Sequence, residues 1–473
     1  MRRQFRSIAI WILAAMVSGA CTNNRSPAVA TETVSPTPLL TATPVLSPTP
    51  TAVPPTPTIQ SWAELIEPVA VGTQLSFDRW SPDSQTIIYW SHTQQDLGAN
   101  PQVPPGDLHF LDIRTGRDCV YPDTYRGAGG RFGQHAWLSD GKLLVVEDQG
   151  QVVVTTPYGD DFTQQTQLFP EQIIEVAPSS PDRSWFLLRG EQAYWLYTPG
   201  TSTVQKVEGV PIGYRNGYSW SPQGSRVAIT ANGGSTYVID ARTGEVEQFI
   251  EWTHRGGLGS MPGAIWLSED QFLISETVDQ GPLLVEVGKQ PRLVGPELFK
   301  VGLESASMAS AATVEGTGDF HIVLWWPEPH NQRVLLYHSE TGEVEELDFS
   351  DVWSGFSPDG HWLALSRRPL KDGYETYEVW VRPVDPTGSQ ARLIWASDDP
   401  YMSWSPTWDK LAKSSTGGLA ILSIPEAQRL GLWDNEVYTI YPMSWSPDSR
   451  YVAALGSLPG SSNNALFIIL AKP

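Results

Sequence analysis

The stretch "MSWSPDSRYVAALG", residues 443–456, returns in altered form near the other end of the chain as "DRWSPDSQTIIYWS" (78–91). A pattern used twice is either a catalytic signature or a structural period, and the two make different demands. A catalytic carboxylate keeps its identity wherever it recurs. A turn residue tolerates any side chain that satisfies the same backbone. Between the two copies the pattern recurs as "HAWLSDGKLLVVED" (135–148), "APSSPDRSWFLLRG" (177–190) and "YSWSPQGSRVAITA" (218–231). It continues as "AIWLSEDQFLISET" (264–277), "SGFSPDGHWLALSR" (354–367) and "MSWSPTWDKLAKSS" (402–415). Gln223 stands where the first copy has Asp83, so chemistry does not hold the acid in place. The pattern is a period.

Its anchor positions are Trp80, Trp137, Ser179, Trp220, Trp266, Phe356, Trp404 and Trp445. Most intervals are 41–48 residues, and the double interval after Trp266 holds a worn copy, "SAATVEGTGDFHIVLWW" (310–326). The second half of each register is an apolar strand, a polar turn often containing Thr-Gly, and another strand. Examples are "LHFLDIRTGRDCVY" (108–121), "TYVIDARTGEVEQF" (236–249) and "VLLYHSETGEVEEL" (334–347). Four short strands per 40–50 residues, many times over, describe the blades of a β-propeller. The bulky ring before each turn is placed to pack between neighbouring sheets. Pro82, Pro358 and Pro447 preset φ in the turn, while Asp83, Asp359 and Asp448 bond nearby backbone N–H groups. The expected fold is all-β: one closed propeller of eight or nine four-stranded blades. The last copy supplies three strands, and "AELIEPV" (63–69) is expected to add the fourth in a 3+1 closure that covers the sheet edges.

With these residues in view, the chain resembles the TolB-type, WD40-like (PD40 repeat) family of β-propellers. The family's repeat runs W-S-P-D-G, apolar strand, then apolar strand with D-x-x-T-G, and the resemblance covers roughly 61–473. It implies a fold and a broad role; no family site carries over, because the matching positions are the repeat's own.

Ahead of the repeats, residues 1–21 read as a secretory signal: Arg2, Arg3 and Arg6, an apolar run from Ile8 to Val17, then small residues and a cysteine. The run is too short to span a bilayer core of about 30 Å. "VSGAC" resembles the lipobox of bacterial lipoproteins through Gly19, Ala20 and Cys21, with Ser18 where leucine is usual. That resemblance implies lipidation of Cys21. Residues 22–60 are rich in Pro, Thr and Ser and read as an extended, solvated spacer of about 3 Å per residue. The expected location is therefore the extracytoplasmic face of the cell envelope.

Composition narrows the role further. The formal net charge of −21 and the lack of a basic cluster beyond the first residues argue against nucleic-acid binding. The histidines (His92, His109, His135, His254, His321, His330, His338 and His361) show no H-x-x-x-H or H-E-x-x-H spacing. No calcium loop of EF-hand spacing and no G-x-S-x-G elbow is present. Cys119 reads as a lone strand residue. The expectations are no cofactor, no metal and no catalytic set. The leading expectation is a monomeric binding or scaffold module for a protein, peptide or envelope glycan, tethered to a membrane through Cys21. The alternative is a glycan lyase or hydrolase with loop-borne catalytic residues at the central channel. The candidate recognition segment is "HTQQDLGANPQVPPGD" (92–107), and the Gly-rich "HRGGLGSMPG" (254–263) is expected to be a loop on one face.

Overall fold

The computed structural model describes the strands and tight turns between Leu65 and Ala471. Residues 1–64, 472–473 and the segments between strands, the longest being 93–106, 122–134, 251–263 and 295–306, lie outside the described residues. Among the described residues, thirty-six strands, β1 to β36 in chain order, form nine four-stranded antiparallel sheets. Eight sheets are made of consecutive strands. Blade 1 spans Gln74–Val120, blade 2 His135–Gln167, blade 3 Ile173–Val207 and blade 4 Gly217–Ile250. Blade 5 spans Ile265–Leu293, blade 6 Ser307–Leu347, blade 7 Ser354–Ser397 and blade 8 Met402–Asp434.

Blade 9 joins the two ends of the chain. It pairs β34 (Tyr438–Trp445), β35 (Tyr451–Ser457) and β36 (Asn464–Leu470) with β1 (Leu65–Gly72) as its outer strand. The β1–β36 register runs from Leu65 opposite Ile469 to Gly72 opposite Asn464. The blade count resolves to nine, because the worn copy forms a complete blade 6.

Strand periodicity explains why the sheets close into a ring. Alternate residues of a strand point to opposite faces, and in each blade both faces are apolar. In blade 2, Leu143 and Val145 pack toward blade 1, while Leu144 and Val146 pack toward blade 3. Nine buried clusters result, and each draws its residues from two neighbouring blades. The seam cluster joins Trp80 and Ile87 of blade 1 to Leu455 and Ile468 of blade 9. A single blade would leave both faces wet, so the ring is the smallest unit that buries them.

The anchor rings fix the spacing of the joints. Trp266 Nε1 donates to Ser219 O of the preceding blade (2.9 Å), Trp404 to Gly355 O (3.1 Å) and Trp445 to Ser403 O (3.0 Å). Trp80 reaches across the seam to Ser444 O (3.2 Å), and Trp220 donates to Pro178 O. Each acceptor immediately precedes the anchor position of its own blade. Trp137 breaks the series: its buried Nε1 has no hydrogen-bond partner among the described residues. Replacement by Phe removes similar ring area at either site but removes a bond only at one. Trp266→Phe should therefore cost about 1 kcal/mol more than Trp137→Phe in chemical denaturation.

Candidate functional site

The residues that stand out in the sequence are occupied in building one end of the ring. In the S-P-D turns the serine hydroxyl works in two directions. Ser81 Oγ accepts from Thr86 N–H (2.9 Å) and donates to Asp83 Oδ1 (2.5 Å), which also accepts from Gln85 N–H (3.1 Å). Ser446 and Asp448 repeat this in blade 9, and Ser180 with Asp182 in blade 3. Burial alone would raise the pKa of Asp182, but the bonds from Ser180 and Ser184 outweigh it and hold the carboxyl below its usual value.

Two blades meet the same requirement differently. Thr407 takes the acid position in blade 8, and Asp409 accepts from Thr407 Oγ1 (2.6 Å) and Ser405 Oγ (3.3 Å). In blade 4, where Gln223 replaces the acid, the next blade supplies it. Glu269 accepts from Ser221 Oγ (2.7 Å), Ser225 Oγ and the Gln223 N–H, and Arg226 donates to the Glu269 carbonyl (2.8 Å). In seven blades the residue after the acid position is left-handed: Ser84 (φ 61°), Arg183 (58°), Trp408 (67°) and Ser449 (58°), with Gly141, Gly224 and Gly360 at the same place.

The turns also clasp one another. Ser84 Oγ accepts from Asp448 N–H (3.0 Å), and Ser449 Oγ accepts from Thr407 N–H (3.0 Å). A Cβ on Gly360 would lie 2.6 Å from the Thr313 carbonyl of blade 6. This end of the ring is tightly bonded.

The polar constellation that stands outside this scheme lies in blade 1, on β3 (Thr86–His92), β4 (Asp107–Asp112) and β5 (Asp118–Val120). Tyr89 pairs with His109 across β3 and β4, and Leu111 pairs with Asp118 across β4 and β5. The result is a relay. Ser91 Oγ lies 2.8 Å from His109 Nε2, and His109 Nδ1 lies 3.0 Å from Asp118 Oδ2. Tyr89 donates its hydroxyl to the same carboxylate oxygen (2.6 Å), and its ring stacks on the imidazole at 4.5 Å between centroids and 18° between planes. Burial, then the bond and charge of Asp118, push the Tyr89 pKa well above its ordinary range. The Tyr89 hydroxyl therefore stays protonated as a donor. Ser91 and His109 are half-buried, and Asp118 is exposed.

Two further polar groups lie at joints between blades. His321 and His338 meet edge to face at 4.8 Å, with Glu345 4.0 Å from His338 and Arg382 bonded to Glu345 at 2.6 Å. Burial lowers the His338 pKa, against the pull of the neighbouring glutamates. Between blades 3 and 4, Arg189 pairs with Glu175 at 2.8 Å, close to Tyr194 and Tyr218. No group of three or more metal-ligating side chains occurs among the described residues.

Cys119 lies unbridged in β5, half-buried. Cys21, the 92–107 insertion apart from its ends His92 and Asp107, and the whole 254–263 run lie outside the described residues. Sequence spacing missed the blade 1 relay because its members meet by strand register rather than by proximity in the chain.

No family model matches the chain, and no curated protein matches it. Among solved structures, it is similar to the β-propeller domain of Cps50 (Swd1) from Myceliophteria thermophila, at 14% identity and a TM-score of 0.37. That match covers 63% of this chain and 97% of the other. It is also similar to an oligogalacturonate lyase in complex with manganese (10% identity, TM-score 0.39, covering 87% and 96%). A third is the oligogalacturonate lyase from Vibrio parahaemolyticus (13% identity, TM-score 0.40, covering 86% and 93%).

Proposed function

We propose that the chain is a lipid-anchored, extracytoplasmic propeller that acts as a monomeric binding or scaffold module for a protein, peptide or envelope glycan. The observation that carries this reading is the contrast between the repeat and the segments that interrupt it. At one end, anchor rings, turn serines and carboxylates are committed to holding blades together. In the sequence, insertions such as 92–107 between the strands follow no repeat, and irregular segments on a rigid scaffold suit recognition. The lipobox-like Cys21 and the Pro/Thr-rich 22–60 spacer support display away from a membrane surface. The net charge of −21 argues against a nucleic-acid ligand. The glycan lyase or hydrolase alternative, with loop-borne residues at the channel, draws on segments outside the described residues.

Labelling of the full chain with a fatty-acid analogue tests the tether, and cross-linking in intact envelopes tests the binding end. The label should disappear in Cys21→Ala, and cross-links should leave from the end of the ring opposite the turns. A label that survives the substitution sinks the anchor. Cross-links confined to the turns around Pro82, Pro358 and Pro447 sink the assignment of the binding end.

A further inference from the structure

Blade 1 holds polar side chains at positions that are apolar in blades 3, 4 and 6. The positions of Tyr89, His109 and Asp118 correspond by register to Leu188, Trp195 and Val204 in blade 3. In blade 4 they are Ile229, Tyr237 and Val246, and in blade 6 Leu324, Leu335 and Val344. In those blades the residues pack into the joints between sheets. The fold is therefore built at these places without a histidine or a carboxylate. At His109 and Asp118 blade 1 gives up apolar burial that those blades keep, while Tyr89 stays buried in the seam cluster. Departures of this kind mark places where a sequence serves something besides its fold.

The order of atoms in the chain is specific. Asp118 takes the Nδ1–H of His109, which fixes the tautomer and leaves Nε2 as an acceptor facing the Ser91 hydroxyl. Both contacts fall within the range for a nucleophile, its base and the group that orients the base. Tyr89 holds Asp118 by a second bond and holds the imidazole plane by stacking. All of these residues sit on paired strands, so the geometry is preformed rather than dependent on a loop.

We propose that Ser91 and His109, positioned by Asp118 and Tyr89, form a serine-nucleophile site in blade 1 that hydrolyses small carboxylic esters. Ser91 Oγ attacks the ester carbonyl carbon and passes its proton to His109 Nε2. The bond from that carbon to the alkoxy oxygen breaks, and the departing oxygen takes the proton from Nε2. Water then attacks the acyl-serine, giving a proton to Nε2; the acid is released and the proton returns to Oγ. This chemistry is separate from the binding role proposed above: loss of partner cross-linking leaves it standing, and its own failure leaves the binding role standing.

The test uses a fluorophosphonate probe and p-nitrophenyl acetate with the full chain. The probe should form one adduct, mapped by mass spectrometry to Ser91, and p-nitrophenol release should exceed the buffer rate. Ser91→Ala should abolish both. His109→Gln should slow adduct formation at least ~100-fold, as expected for loss of a general base. Asp118→Asn should lower kcat with KM unchanged, which a purely structural role would not produce. Thermal melts accompany each variant, and the wild-type adduct map stands alone if a variant fails to fold. A folded wild-type protein with no adduct at Ser91 overturns the proposal. So does an adduct that forms at an unchanged rate in folded His109→Gln protein.

Discussion

Glu269→Gln should destabilise the ring by about 2–4 kcal/mol, and Gln223→Asp, harmful by itself, should restore much of that loss in the double variant. The glutamate accepts from the buried Ser221 hydroxyl, from Ser225 and from the Gln223 backbone, across the joint between blades 4 and 5. Hydrogen bonds to a charged acceptor are each worth about 1.5–3 kcal/mol, and bonds sharing one acceptor are not additive. The amide keeps one acceptor oxygen but cannot serve three donors as a carboxylate does. In the native chain an aspartate at 223 would stand beside Glu269, and two carboxylates sharing one site repel. Once Glu269 is neutral, the same aspartate closes its own turn as Asp83 and Asp448 do in theirs. Urea denaturation of the four proteins reads the outcome directly. Additive effects of the two substitutions would show that the glutamate does not stand in for the missing acid.

That exchange also marks a boundary of what the sequence discloses. The loss at Gln223 is visible when the copies are aligned, since every other feature of the turn is kept. Its replacement is not visible, because Glu269 lies in the next repeat and already occupies a turn position there. The same boundary separates the ring from the blade 1 relay. Anchor rings, turn acids and Thr-Gly hairpins recur at a steady interval, so their period gave the blades, and the unpaired third strand of the last copy pointed to closure by the N-terminal strand. The β1–β36 ladder is that closure.

Ser91, His109 and Asp118 recur nowhere, and their separations of 18 and 9 residues match no helical or metal-binding spacing. They meet only because β3, β4 and β5 are in register. A signal was nevertheless present: when copies are superposed on their Thr-Gly turns, His109 and Asp118 fall where Tyr237 and Val246, or Leu335 and Val344, supply apolar surface. The site is therefore found by asking which blade breaks the apolar rule of the repeat. Scanning for short motifs passes it by.

Trp80→Ala should open the ring at its seam, whereas Trp220→Ala, a comparable loss at a mid-chain joint, should leave the seam closed. Both rings are buried, at 4% and 9% exposure. Truncating a buried aromatic ring to alanine costs about 3–5 kcal/mol, with about 1 kcal/mol more for the indole bond to the neighbouring carbonyl. Trp80 additionally stacks on Tyr451 at 6.1 Å, so its loss loosens blade 9 itself. The difference between the sites lies in connectivity. Blades 3 and 4 follow each other in the chain, so a weakened joint there is still held by the backbone on the same side of the ring. At the seam the last strand β36 is held to the beginning of the chain by the β1 ladder and by the packing of blade 9 on blade 1. Removing Trp80 weakens that packing and leaves the ladder to hold the ring shut alone. Sub-global opening then exposes the β36 edge, a free row of backbone donors and acceptors. Hydrogen exchange at β36 amides should quicken at least ~10-fold in Trp80→Ala, and remain near the native rate in Trp220→Ala at matched temperature. Equal acceleration in both variants would mean that the ring opens as readily at any joint, and that the 3+1 seam carries no special share of its cooperativity.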